Sequence, residues 1–462
     1  MESLSSDIVV VGAGLAGFTA AVRASEEGAK VVLIDKSDGE FGDGNILMAS
    51  GSLRAGGKSP RTDPAELYNS VTAEGVAYPN LVKAWSETCQ RAVDWLIRSG
   101  VTVIEKESCR TWLDQESEIS LAPVYKKDAG RKTLTVLKRR LEELRGRYLS
   151  GVEGQKLLLE NGRVCGVIGA KSGGSIELRG RATILATGGF SANKEMVKRY
   201  IGPQADQCKL RGSQRCTGDG LRMALEVGAR AVNLQYFYGH LLSRKAIIDD
   251  RFWPYPRLDS FVDEGILVGL DGERFVDEGR GDVALANEVA RSEDVRGKVL
   301  IFDHRTWEAA KDDAFSSSVK TPAPNPWLTD HDGDIFFHEI IEGLAKAVGV
   351  DAAGLSKTLQ RYNHAIETKD FASLAVSRTG RPKPLRAPFC GLKVVPGITF
   401  TMGGVAVNGH CEVLDKNEKA IPGLYGSGDS IGGLMGGYHG GYTGGLMQAI
   451  VTGILAGENA AA

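Results

Sequence analysis

The stretch "DIVVVGAGLAGFTAAVRASEEGAKVVLIDK", residues 7–36, decides the fold. Residues 7–11 are an apolar run, the pattern of a buried strand. Gly12, Gly14 and Gly17 follow as G-x-G-x-x-G. A helical pattern runs from there to Gly28, and "VVLID" is a second strand ending at Asp35. This is a βαβ unit with a dinucleotide-binding turn. The first glycine makes the tight turn, the second lets backbone approach a pyrophosphate, and the third lets helix pack on strand. The positive end of the helix faces the phosphates. Asp35 stands where an acid can hold a ribose hydroxyl.

The turn alone does not choose between NAD and FAD. The following segment, "FGDGNILMASGSLRAGG" (residues 41–57), is a long glycine-rich loop where an NAD-binding fold would start another crossover helix. Such a loop can wrap a ribityl chain and flavin.

The chain has 462 residues. That exceeds the roughly 250–300 at which one core stops growing, so two domains are expected. A net charge of -2 gives no reason to propose a nucleic-acid partner. The 59 glycines far exceed the average share of roughly 7%. They cluster between apolar runs, as ligand-hugging turns would. Seven cysteines without a CxxC or a metal-type spacing suit a reducing compartment, and Cys89, Cys109 and Cys165 are expected as small buried hydrophobes. The N-terminus lacks the basic region of a signal peptide, and no apolar run reaches the ~18–20 residues of a membrane span. A cytoplasmic protein without membrane insertion is the expectation. "DHDGD" (residues 330–334) is a turn rather than a complete calcium loop, and no metal site is expected.

Further motifs stand in order along the chain: "GDGNILMASG" (42–51), "ILATGGF" (184–190), "TGDGLRMALEVGA" (217–229), "GERFVDE" (272–278), "FTMGGVAV" (400–407) and "PGLYGSGD" (422–429). With the first βαβ unit they make the chain resemble the FAD-dependent fumarate reductase, succinate dehydrogenase and 3-ketosteroid dehydrogenase superfamily over nearly its whole length. The resemblance implies an α/β fold. A Rossmann-like FAD-binding domain would be assembled from residues 1–233 and 379–462, with an α+β capping domain, residues 234–378, inserted between. "TPAPNPW" within the cap and "RPKPLRAPF" after it read as a loop and a return linker.

The same resemblance places FAD contacts at Gly12, Gly14, Ala16, Gly17, Asp35 and Lys36. A second group is Gly44, Asn45, Ser50 and Gly51; a third is Ala186, Thr187, Gly188 and Asp219. Gly428 and Asp429 would lie by the ribityl chain, and Leu446 and Met447 would offer amides to the flavin. The glycines of "GGLMGGYHGGYTGGLMQA" (432–449) would let backbone pass flat along the ring. No histidine precedes His240, so the histidyl linkage of succinate dehydrogenases has no residue to form it and FAD is expected to be non-covalent.

The family moves hydride between a substrate carbon and flavin N5. Matched residue by residue, His240 falls on the first carboxylate-binding histidine of fumarate reductases, and Arg280 near their proton-donating arginine. Phe400 replaces the second histidine and His439 the second arginine. Their carboxylate-lined proton relay has no clear equivalent in "WPYPRLDSFVDEGILV" (253–268). The charged clamp is thus weakened, which disfavours fumarate. Tyr438, His439 and Tyr442 are the candidates to hold a ketone oxygen, with Arg280 as base. Tyr255, Phe400 and Gly445 would line the substrate pocket, with Tyr238 and Trp253 adding aromatic surface. The expected reaction is α,β-desaturation of a cyclic ketone of 3-ketosteroid or 4-oxocyclohexanecarboxylate type. Alternatives are a dehydrogenase or reductase of a tricarballylate- or fumarate-type acid, and a flavoprotein electron-transfer subunit. The partners would be a small-molecule substrate and an unidentified electron donor or acceptor.

Overall fold

The computed structural model describes residues 2–106, 110–113, 128–311 and 322–462. Cys109 lies outside the described residues; Cys89 is buried and Cys165 half-buried. The quoted opening stretch folds as strand Ile8–Val11, helix Leu15–Glu26 and strand Val31–Ile34. The two strands pair in parallel at the centre of a six-stranded sheet. Ala182–Leu185 adds on the other side of Ile8–Val11, and Ala420–Gly426 adds beyond it, both in parallel. The central strands are apolar except at Thr183 and buried at every position, as a sheet covered on both faces requires. Residues from both ends of the chain therefore share one sheet. The last helix, Gly445–Ala461, packs along the first, Leu15–Glu26. Glycines permit this approach: a Cβ on Gly457 would come within 2.6 Å of the Ala20 carbonyl oxygen.

A second sheet is built around one long strand, Phe389–Thr401. Lys298–Asp303 and Ile335–His338 pair with its first half, and Phe237–Ser243 and Lys209–Leu210 with its second. The expected boundaries at 233/234 and 378/379 do not bound this sheet. Phe389–Thr401 and Lys209–Leu210, outside the expected 234–378, share this sheet, which gives the long strand partners on both edges. Residues 324–327 of "TPAPNPW", expected as loop, open a helix that runs Pro324–Asp330 and is helical apart from Asn325. The segment 352–368 is a helix with a buried face formed by Leu355, Leu359 and Tyr362.

The "GERFVDE" motif clamps the chain where it leaves the cap. Glu278 is fully buried and accepts hydrogen bonds from the Leu267 N–H and the Arg274 guanidinium. Arg274 also donates to the carbonyls of Val376 and Ser377, and Asp277 accepts from the Thr379 N–H at 2.9 Å. Glu278 thus has an opposite charge and oriented hydrogen bonds, while Asp277 is held through backbone N–H groups alone.

Candidate active site

A cavity of about 1130 Å³ runs from the first βαβ turn to the inner face of the cap. It exceeds the usual roughly 300–1,000 Å³ of a single small-ligand pocket. That size suits a cofactor and a substrate held end to end.

One end is a nucleotide cradle. The helix Leu15–Glu26 begins at Gly14 without any side-chain cap, so its first N–H groups face the cavity. A Cβ on Gly14 would meet nothing within 4 Å, whereas one on Gly17 would lie 1.7 Å from the Gly12 carbonyl oxygen. Gly14 is thus open toward the cavity, while Gly17 is the helix–strand contact and does not line it. Gly12 has φ +105° and sits against the Ala186 carbonyl, which a side chain would strike. Ala16, Asp35 and Lys36 line this end. The carboxylate of Asp35 accepts from the N–H groups of Ala13 (2.7 Å) and Ser37 (2.8 Å), and Lys36 reaches Asp219 at 2.6 Å.

The middle is lined by Gly44, Asn45 and Ser50 on one side and Ala186, Thr187 and Gly188 on another; Gly51 is not part of the lining. Gly428 and Asp429 form the next segment. Burial pushes the Asp429 carboxyl up to about 7. The last helix also starts, at Gly444, without a side-chain cap. Gly444 has φ +105°, and a Cβ there would lie 1.9 Å from the Arg54 carbonyl oxygen. Gly445 and Leu446 line the cavity, while the Met447 side chain points into the core. Two uncapped helix starts aimed at one elongated cavity fit a ligand with a pyrophosphate at one end and an electron-accepting ring at the other.

The cap end is aromatic. Sheet register sets Tyr238 opposite Phe400 and His240 opposite Gly397. Tyr238 stacks on Tyr442 with ring centroids 4.0 Å apart. Phe400 touches the Gly445 position, 3.1 Å from where a Cβ would be. Tyr442 Oη accepts a hydrogen bond from the Gly445 N–H at 3.2 Å. Burial raises both phenols, that of Tyr238 well above the usual range. Tyr255 and Trp253 complete the wall.

Behind Tyr238 lies a polar chain. His240 is 2% exposed; its Nε2 is 2.9 Å from Tyr238 Oη. Its Nδ1 is 3.0 Å from Asp259 and 2.6 Å from Asp282. Asp282 opens the helix Asp282–Arg291, which Asn287 pins to the strand by hydrogen bonds with both the N–H and the carbonyl of Phe237. Burial pushes the Asp259 carboxyl up, but His240 and Arg257 outweigh it and hold the group below the usual carboxylate range. Asp259 and Arg257 come from "WPYPRLDSFVDEGILV", and Arg257 lies 3.0 Å from the Asp259 carboxylate. One donor atom from each of His240, Asp259 and Asp282 lies within 4.8 Å of the others. The Arg257 guanidinium, 3.0 Å from Asp259, already supplies positive charge there and opposes a divalent cation.

Other expected residues lie differently. Arg280 does not line the cavity. Its guanidinium donates to the Tyr438 carbonyl at 3.0 and 2.8 Å, pairs with Glu288, and sits 3.9 Å over the Tyr438 ring. The side chain, 13% exposed, is turned to the glycine-rich loop. Tyr438 is 52% exposed and does not line the cavity. His439 lines its mouth, largely exposed, with its ring 3.7 Å from Glu74. The sequence reading passed over Arg211. It is buried, lines the cavity, and donates to the Pro254 carbonyl and to Thr399 Oγ1, all neutral acceptors. Its place follows from the Arg211 N–H bond to the Ile398 carbonyl (2.7 Å), a pairing that no local motif announces.

Fold and site together define an FAD-dependent oxidoreductase. The chain belongs to the FAD binding domain family, which it matches over residues 7–446. It is 30% identical over 448 residues to the "Probable fumarate reductase Ifc3" of Shewanella frigidimarina, covering 94% of this chain and 71% of that one. It is 28% identical to the urocanate reductase of Eggerthella lenta over 477 residues, 99% of this chain and 74% of that one. Among solved structures it resembles an open flavocytochrome c3 fumarate reductase, with TM-score 0.68, 25% identity, and coverage of 100% of this chain and 78% of that one. It shares its fold with 3-ketosteroid-delta4-(5alpha)-dehydrogenase from Rhodococcus jostii RHA1, with TM-score 0.75, 22% identity, and coverage of 100% and 98%. The protein is thus an FAD-dependent oxidoreductase of the fumarate reductase type, of the CH–CH oxidoreductase class. Among the described residues, no helix is long and apolar enough to cross a membrane.

Proposed function

We propose that the enzyme desaturates, or in reverse saturates, the CH–CH bond beside the carbonyl of a cyclic or alicyclic ketone. The observation that carries this reading is the hydrogen bond from the Gly445 N–H to Tyr442 Oη. Having accepted that bond, the Tyr442 hydroxyl keeps its own proton to donate, and burial keeps the phenol protonated. A neutral donor of this kind polarises a ketone without needing a full charge. The rings of Tyr238 and Phe400 beside it suit a flat or alicyclic substrate.

FAD fits the cradle and, when bound, supplies two-electron hydride chemistry. It would be held by the uncapped helix starts at Gly14 and Gly444, by the loop at Gly44 and Asn45, and by Asp429. Attachment is non-covalent in this reading. The Tyr442 hydroxyl orients the carbonyl, and the cap's aromatic wall excludes water. Turnover requires a small-molecule substrate and a separate electron donor or acceptor. The scattered cysteines favour a cytoplasmic setting.

A second reading, an acid substrate, draws on Arg211 and on relatives named for fumarate and urocanate. A buried guanidinium bonded only to neutral oxygens favours a carboxylate beside it. A ring ketone bearing an acid, such as 4-oxocyclohexanecarboxylate, would satisfy both features. The test is anaerobic titration of the purified flavoprotein with fumarate, tricarballylate, 4-oxocyclohexanecarboxylate and a 3-ketosteroid, from both redox states. A flavin colour change with the ketones is expected. Response to fumarate or tricarballylate alone would replace the first reading with the second.

A further inference from the structure

We infer that Glu74 is the positioning residue of the turn that presents Tyr442, and that it works by holding one peptide group, Tyr438–His439, from the side opposite the cap. The inference rests on the ketone reading above, in which Tyr442 is the donor, and names the group that fixes where that donor stands.

The turn needs a hold from outside. Residues 436–441 curl back on themselves through two hydrogen bonds of their own, from the Gly436 N–H to the Gly441 carbonyl (3.3 Å) and from the Gly440 N–H to the Gly437 carbonyl (3.2 Å). Four of these six residues are glycine, which loses more freedom on ordering than any other residue.

Glu74 supplies the hold. It follows the helix Pro64–Thr72, and its side chain is 17% exposed. Its Oε2 accepts the His439 N–H at 2.9 Å, and among the described residues the carboxylate takes no other hydrogen bond. Its Oε1 lies 3.7 Å from Nδ1 of the His439 ring. The stem fills the curl. A Cβ on Gly437 would lie 2.5 Å from Glu74 Oε2, and one on Gly441 would lie 3.1 Å from Glu74 Cγ. Glu74 thus occupies the space that side chains at both glycines would need. Gly441 directly precedes Tyr442, so a shift of the curl is passed to the phenol.

The cap grips the same peptide group. That group is trans, so its C=O and N–H point in opposite directions. The Tyr438 carbonyl accepts from Arg280 at 3.0 and 2.8 Å, and the His439 N–H donates to Glu74. Cation, peptide and anion form one chain of charge-assisted hydrogen bonds, in which each bond polarises the next. Gly440 closes against Val283 of the cap, where a Cβ would come within 2.8 Å of the Val283 Cβ. Without Glu74 the turn is held on the cap side alone, and Tyr442 loses its fixed place.

The test compares FAD-loaded wild type with Glu74→Ala, Glu74→Gln and Glu74→Asp, and Tyr442→Phe with Glu74→Ala/Tyr442→Phe. Anaerobic single-turnover bleaching by 4-oxocyclohexanecarboxylate and by a 3-ketosteroid gives the rate and the ketone Kd. Amide hydrogen exchange of residues 436–444 reads the turn without substrate. Glu74→Ala should lower the rate at saturating ketone by about 10–10²-fold, the cost of a misplacement on the order of 1 Å. Its ketone Kd and flavin content should stay within about threefold of wild type, and exchange in the turn should quicken by about tenfold or more. Glu74→Gln keeps an oxygen for the His439 N–H and should recover both rate and exchange to within about fivefold. In the Tyr442→Phe background Glu74→Ala should cost less than about threefold more, because the group it positions is gone. Should Glu74→Ala fail to fold, Glu74→Asp, which is one methylene shorter, decides in its place. A Glu74→Ala rate within threefold of a competent wild type, an equal loss in the Tyr442→Phe background, or a ketone Kd that worsens in step with the rate overturns the inference. No response of wild type to either ketone overturns the ketone reading. In that case tenfold faster exchange in Glu74→Ala sustains the hold of Glu74 on the turn, and unchanged exchange overturns it.

Discussion

The guanidinium of Arg280 lies 3.9 Å above the ring of Tyr438 and donates twice to that residue's own carbonyl. Arg280 belongs to the cap, and Tyr438 to the glycine-rich turn before the last helix. The pair is a latch between the two regions, placed at the cavity mouth beside His439. An arginine occupied in this way is poorly placed to take a proton from substrate.

Arg280→Ala should therefore spare the chemistry and loosen the closed site. Single-turnover flavin bleaching at saturating ketone should stay within about threefold of wild type. Ketone Kd should rise several-fold, consistent with losing an exposed cation–π contact of roughly 0.5–1 kcal/mol and two hydrogen bonds. A loss of 10³ or more in the single-turnover rate would return Arg280 to the role of base.

Gly14 and Gly17 should separate cofactor binding from folding. A Cβ at Gly14 meets nothing within 4 Å, so Gly14→Ala should keep its melting temperature without flavin but bind FAD at least tenfold more weakly. At Gly17 a Cβ would overlap the Gly12 carbonyl at 1.7 Å, so Gly17→Ala should fold poorly. Flavin content and thermal melts of the two variants check this.

Asp429 should make the flavin-free protein less stable as pH rises. Burial lifts its carboxyl from an ordinary 3.8 to about 7. The folded form keeps the proton over a range where the unfolded chain has lost it. The stabilisation is full below about pH 4, declines as pH rises, and is gone above about 7. Over that span the change is on the order of a few kcal/mol. Asp429→Asn should flatten the pH dependence of the melting temperature between pH 5 and 8. An unchanged slope would mean that the carboxyl is ionised in the fold.

Arg211 should discriminate between substrates. Arg211→Gln should raise the Kd of 4-oxocyclohexanecarboxylate by tenfold or more, about 1.4 kcal/mol. A neutral 3-ketosteroid should change by less than threefold. Equal losses for both would show that Arg211 only holds the Pro254 carbonyl and Thr399 in place.

The nucleotide end of the site was legible because its chemistry is local. Gly12, Gly14 and Gly17 lie within six residues and act through their own backbone, so spacing alone reports them. Tyr442 and Gly445 came from the resemblance of the glycine-rich turn, and both line the cavity. Met447 was expected to act through its amide, and its side chain belongs to the core. The cap end was not legible. Tyr238, Asp259 and Asp282 meet only because strand Phe237–Ser243 pairs with Phe389–Thr401 and because Asn287 ties a helix to that strand. Arg211 reaches the same cavity through the far edge of Phe389–Thr401. Such pairings are long-range and leave no periodic trace. Arg280 is held by the Tyr438 carbonyl and Glu288, contacts that the "RFVDE" motif does not announce.

The most direct test of the central claim is the anaerobic rate of flavin bleaching by 4-oxocyclohexanecarboxylate in wild type and in Tyr442→Phe. The account predicts bleaching by wild type and a loss of about 10²–10³-fold in the variant at unchanged flavin content, the effect of removing one preorganised donor. Equal rates in the two proteins, or a wild-type flavin that ignores the ketone yet is reoxidised by fumarate, would contradict it.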